Sequence, residues 1–175
     1  MNLTEQATVE HVVPMKAHEV PITLFNKLAD AAERDEGAPK RERYAIKGCS
    51  DEADVVCLGD VWISCATYSL FGIPCSNFRL WPGKPERESG LVHSPEPVFK
   101  IFAGPSSDGM WAFGRGDRYT TRVVVDYGYF SKIDLTSEKQ RHLLEVANRI
   151  LAEASLLSRD VESVTVWDAS TAEHA

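Results

Sequence analysis

The sequence predicts an α+β domain: an antiparallel β-sheet of about five to seven strands, packed by an N-terminal helix and a long C-terminal helix. Three observations predict it. The first is a meander over residues 98–130, whose last run alternates: Tyr119, Thr121, Val123, Val125, Tyr127 and Tyr129 interleave with Arg118, Thr120, Arg122, Val124, Asp126 and Gly128. A period of two sets an apolar, aromatic face against a mostly polar one carrying two arginines. The second is a helical stripe of Leu24, Phe25, Leu28, Ala31 and Ala32. The third is a longer one of Leu143, Leu144, Ala147, Ile150, Leu151, Ala154 and Leu157.

The elements follow in order. Residues 1–20 read as a polar arm, residues 21–169 as a single α+β domain and residues 170–175 as a polar tail. Pro21 suits the first turn of the first helix, which the charged run Glu33–Arg43, broken by Gly37 and Pro39, brings to an end. Tyr44–Cys49 is short enough for an edge strand. Asp54–Leu58 and Val61–Phe71 form a hairpin through Gly59-Asp60, a dipeptide suited to a tight turn. The near-continuous apolarity of Val61–Phe71 predicts a central strand covered on both faces. Residues 72–97 hold Pro74, Pro82, Pro85, Pro95 and Pro97, so a long loop is expected there, with a short strand over Asn77–Trp81. The meander then runs through Val98–Ala103, Met110–Phe113 and Arg118–Phe130. Ser137 and Gln140 form a capping box at the last helix. Arg141–Glu145, Glu145–Arg149 and Arg149–Glu153 are pairs of opposite charge four residues apart on its outer side. A last strand is expected over Ser163–Trp167.

Composition narrows the function classes. The formal charge is -7 over 175 residues, with acids concentrated toward both ends and a slightly basic middle. Without a basic block, direct nucleic-acid binding is disfavoured, since phosphate contacts need clustered Lys and Arg. No basic start followed by an apolar core marks a secretory signal, and no run is long and apolar enough to span a membrane, so a cytoplasmic protein is expected. Cys49, Cys57, Cys65 and Cys75 contain no C-x-x-C and no histidine at zinc-ligand spacing, which points to free thiols and to no metal or cofactor.

Candidate sites are few. Phe78, Arg79, Trp81, Lys84 and Arg87 interleave aromatics with bases, the residue types enriched at interface hot spots, and are the protein-binding candidates. Arg118 and Arg122 share one face with Arg115 at the adjoining turn, a row able to grip carboxylate or phosphate. A solvated sheet face is the plainer account of that row. Gly104–Gly109 and Gly114–Gly116 lie between expected strands and match no phosphate-binding fingerprint. Arg115-Gly116-Asp117 is too short a motif to carry an adhesion function. His93-Ser94 are adjacent without a nucleophile elbow, and His142 falls on the polar side of the last helix. No catalytic constellation emerges.

Two functional expectations follow. The leading one is a small intracellular, non-enzymatic protein that binds another protein or a second copy of itself. It would be an assembly subunit, or an inhibitor or immunity-type factor of the kind a phage or mobile element encodes, acting through the aromatic–basic loop. The alternative is a ligand-binding sensory domain with a sheet–helix pocket for a small anion. A meander followed by an amphipathic helix is similar, at the level of fold alone, to profilin-like sensory modules such as GAF domains.

Overall fold

A computed structural model describes residues 15–34, 37, 40–49, 52–70, 72–88, 96–105, 121–127, 134–159 and 166–168. Helix α1 (Glu19–Glu33) leads into six consecutive antiparallel strands: β1 (Glu42–Ala45), β2 (Glu52–Leu58), β3 (Val61–Leu70), β4 (Ile73–Trp81), β5 (Phe99–Pro105) and β6 (Thr121–Asp126). Helix α2 (Glu138–Ser158) then returns the chain to a short strand β7 (Val166–Asp168), which pairs in parallel with β6. A parallel neighbour requires a crossover, and α2 supplies it. The spatial order is β1 to β7, an open sheet in sequence order.

The fold class is the expected one, with some boundaries moved. Helix α1 begins two residues before Pro21, which sits in the first turn where its missing N–H costs nothing. Its buried face is Val20, Pro21, Leu24, Phe25 and Ala29; Ala29, one turn after Phe25, occupies the place expected of Ala31, which is exposed. Strand β4 covers nine residues where a short strand inside a loop was expected. Pro74 obscured it, yet this residue stands at the hairpin end, opposite Ser69 and one pair from the turn, where the Gly72 φ of +78° reverses the chain. The first and last runs of the meander, β5 and β6, are hydrogen-bonded directly to each other, with Ala103 opposite Val123. Met110–Phe113 lies outside the described residues, as do most of the arm and the tail. At α2, Ser137 Oγ accepts from Gln140 N as expected, but the Gln140 side chain accepts from Asp134 N rather than from the cap residue itself.

The two faces of the sheet are built differently. On one, Val56, Ile63, Phe78, Leu80, Phe99, Ile101, Val123 and Val125 pack against α1 and against Ala147, Ile150 and Ala154 of α2. On the other, Tyr44, Ile46, Ala53, Val55, Ala66 and Trp81 form a smaller cluster to which no described helix contributes. Strand β3 is buried on both sides, through Val61, Ile63 and Cys65 on the first face and Ser64 and Ala66 on the second. That agrees with the central strand its apolarity predicts. None of the described helices is long and apolar enough to cross a membrane.

Candidate functional site

The aromatic–basic segment is built into the protein. Phe78 is fully buried and stacks on Phe99 with ring centroids 6.2 Å apart. Trp81 is buried on the opposite face and donates its indole N–H to Ser64 Oγ at 2.8 Å. Beyond β4 the chain folds back as a strap along the outer side of β1. Tyr44 donates its hydroxyl to Pro85 O at 2.6 Å, Lys47 N donates to Glu86 O, and Glu88 N donates to Ala45 O. An isolated bridge joins Ile46 to Arg87. Burial pushes the Tyr44 phenol up to about 12. The strap pairs with residues 45–47 and so covers the end of an edge that would otherwise offer unpaired backbone groups to another chain.

The bases of that segment are satisfied from within as well. Lys84 lies 5.3 Å from the Trp62 ring centroid and 2.9 Å from Glu42 Oε2, and Arg87 lies 4.4 Å from the Tyr44 ring centroid. The Lys84 ammonium beside it holds the Glu42 carboxyl below its usual range. Two cations of the segment therefore make cation–π contacts with aromatics of β3 and β1 rather than with Phe78 or Trp81. Arg79 stands apart, half-buried on β4 between Ser64 and Lys100. Arg115 and Arg118 lie outside the described residues, and Arg122 is placed by its backbone, opposite Gly104.

A concavity opens elsewhere. Helix α1, helix α2 and the β2–β3 turn enclose a cleft of about 880 Å³. Its apolar lining comes from Leu28, Leu58, Val146 and Ile150, and its polar lining includes His142, Asp60, Arg149 and Glu153. Local sequence explains each wall. Gly59, at φ +72°, makes the turn that carries Asp60 to the rim. Residues 142, 146, 149 and 153 recur at helical spacing and so share one side of α2. Two contacts join the walls: an ion pair of Lys27 Nζ with Glu153 Oε2 at 2.7 Å between the helices, and a hydrogen-bond contact of His142 Nε2 with Asp60 Oδ1 at 3.3 Å between helix and turn. They stand eleven residues apart on α2, about 16 Å along its axis.

The charges on α2 differ from the expected pattern in a way that matters here. Glu153 was expected to pair with Arg149 one turn away; it pairs with Lys27 of α1 instead. Among the described residues, Arg149 makes no ion pair, and its guanidinium stands free at the edge of an apolar floor.

Nucleophilic chemistry finds little support in the cleft. Cys57 donates its thiol to Gly59 O at 3.0 Å, and burial together with the nearby Asp60 pushes that thiol up. A thiol held protonated is a poor nucleophile. Cys65 is pushed up to about 12 by its burial. All four cysteines are free, and among the described residues no three His, Cys, Asp or Glu side chains cluster to hold a metal ion. His93 lies outside the described residues. His142 is exposed, as its place on the helix predicts.

No protein-family model, curated protein or solved structure matches this chain. The cleft was not legible in the sequence, because it takes shape only when Leu28, Leu58 and Val146 meet from three separate elements. One available signal was that Val146, Arg149 and Ile150 share a helical side, which puts an arginine beside two apolar residues.

Proposed function

We propose that this protein binds a small molecule with an apolar body and one acidic group, held in the cleft between α1, α2 and the β2–β3 turn, and does not transform it. The observation that carries this reading is the free Arg149 guanidinium at the rim of an apolar cleft of about 880 Å³. That volume falls within the roughly 300–1,000 Å³ usual for small-ligand sites, which combine apolar walls with a few polar groups. Leu28, Leu58, Val146 and Ile150 would take the apolar body, and Arg149 the acid. The Cys57 thiol, pushed up by burial and so held protonated, favours binding over nucleophilic catalysis. Four free thiols favour a cytoplasmic setting. A protein partner, whether for an assembly subunit or an inhibitor, would have to be held without Phe78 and Trp81 at the surface. The cleft is therefore the better-supported site.

Titration with 8-anilinonaphthalene-1-sulfonate, an aromatic body bearing one anion, tests the reading by fluorescence. One saturable site is expected in the native protein. Val146→Trp, which projects an indole from the apolar wall beside Arg149 into the cleft, should weaken it severalfold, and Arg149→Gln should weaken it about tenfold, the loss of one charge-assisted contact. Circular dichroism verifies that both variants fold. Unchanged binding in folded Val146→Trp would overturn the assignment.

A further inference from the structure

The face of the sheet away from the helices carries a second feature, independent of the cleft. Across β3 to β6, Ser64, Arg79, Lys100 and Asp126 lie in one register row. Arg79 and Lys100 are direct neighbours, both half-buried. Like charges opposite each other on adjacent strands are destabilising, and partial removal from water sharpens the repulsion. Asp126, exposed on the far side of Lys100, offsets one charge. Arg79 has no ion pair or side-chain hydrogen bond among the described residues. Two positions before Arg79 on the same face, about 7 Å along the strand, stands Asn77. Asn77 is 7% exposed and donates Nδ2 to Tyr68 Oη at 3.2 Å, but its buried Oδ1 receives no donor.

We infer that Arg79 and Lys100 form a binding site for the phosphate group of a small hydroxyl-bearing phosphomonoester, such as a sugar phosphate. A dianion between two adjacent cations turns their repulsion into attraction to a shared ligand. Arginine offers a planar fork to phosphate oxygens and lysine a compact charge. A hydroxyl beside the phosphate, once the Asn77 side chain turns toward the row, gives its Oδ1 the donor it lacks. Asp126 bounds the row, so the anion sits toward the Arg79 side of Lys100.

Thermal unfolding in chloride, inorganic phosphate and ribose 5-phosphate, at matched ionic strength, tests the site. Both phosphates, at one shared concentration, should raise the midpoint over chloride, by about 5–10 °C for a ligand present at a hundred times its Kd. A larger rise with ribose 5-phosphate supports the contact at Asn77, and equal rises assign the site to the phosphate group alone. Arg79→Gln and Lys100→Gln should each lose the rise. Lys100→Gln in chloride should be at least as stable as the native protein, since a repulsion has been removed. Val146→Trp should keep the rise, which separates this site from the cleft. Identical midpoints in all three anions, or a rise that persists in both glutamine variants, would overturn the inference.

Discussion

The two faces of this sheet exclude water by different means, and the contrast explains where function can reside. The helix-covered face is closed by bulk: Phe78, Leu80, Phe99 and Ile101 are fully buried beneath α1 and α2. The other face is closed by smaller and more polar devices. Ser64, Ala66, Cys75 and Asn77 are buried there with no described helix above them, and a strap ties its outer edge through Tyr44 and Glu42. Oily layers give stability but leave little to recognise a ligand. Polar groups kept on a half-covered face cost free energy unless something satisfies them. The candidate sites accordingly lie where the layering is incomplete: at the end of the helix pair, and on the row of Arg79 and Lys100.

The largest test of this contrast is Phe78→Ala. If Phe78 belongs to the helix-side core, the substitution should cost about 3–5 kcal/mol, the penalty of emptying a fully buried aromatic site. Urea denaturation measures it. An aromatic waiting for a partner would give a change near zero, and the division between the faces would fail at its centre.

The helix-free face is tested more gently by Gly104→Ala. A methyl group at Gly104 would come within 2.8 Å of both Cys75 Sγ and the Phe102 ring. Phe102 also stacks on Tyr68 at 6.5 Å between centroids, so the ring gives way at the expense of that contact. Overpacking of this kind should cost about 1–3 kcal/mol, read from the same denaturation curves. A neutral result would mean that this face is loosely filled and that its burial does not reflect packing.

What the sequence revealed divides along the same line. Period-two alternation through Val123 and Val125 marked the helix-side face of β6, because one buried face leaves a strong periodic trace. The continuous apolarity of β3 likewise marked a strand covered twice. The strap was not legible, because its contacts join Tyr44 to Pro85 and Glu42 to Lys84 across some forty residues. Phe78 and Trp81 were read as one surface motif, yet their positions three apart on a strand send them to opposite faces. The short strand expected over Asn77–Trp81 already contains both, and alternation along it separates them. Arg149 misled for another reason: spacing of four residues permits an ion pair with Glu153, but Lys27 on a different helix claimed that carboxylate.

The smallest expected effect concerns the strap, and acid pH isolates it. Lys84 holds the Glu42 carboxyl below its ordinary value of 4.5. A carboxylate depressed on folding contributes stability that is complete above its unfolded pKa and is lost as the pH falls through the folded one. Native protein should therefore exceed Glu42→Gln in thermal midpoint by a constant small margin above pH 4.5, and the margin should shrink below it. Both partners are nearly half exposed, at 46% for Lys84 and 41% for Glu42, so the pair is worth about 1 kcal/mol at most. Asp134, held below its ordinary range by the hydrogen bonds from Thr136, titrates in both proteins and cancels from the difference. Added salt should narrow the margin as well, since an exposed pair is screened. A margin unchanged in acid would mean that Glu42 acts by packing alone, and that the strap is held by Tyr44 and its backbone bonds to β1.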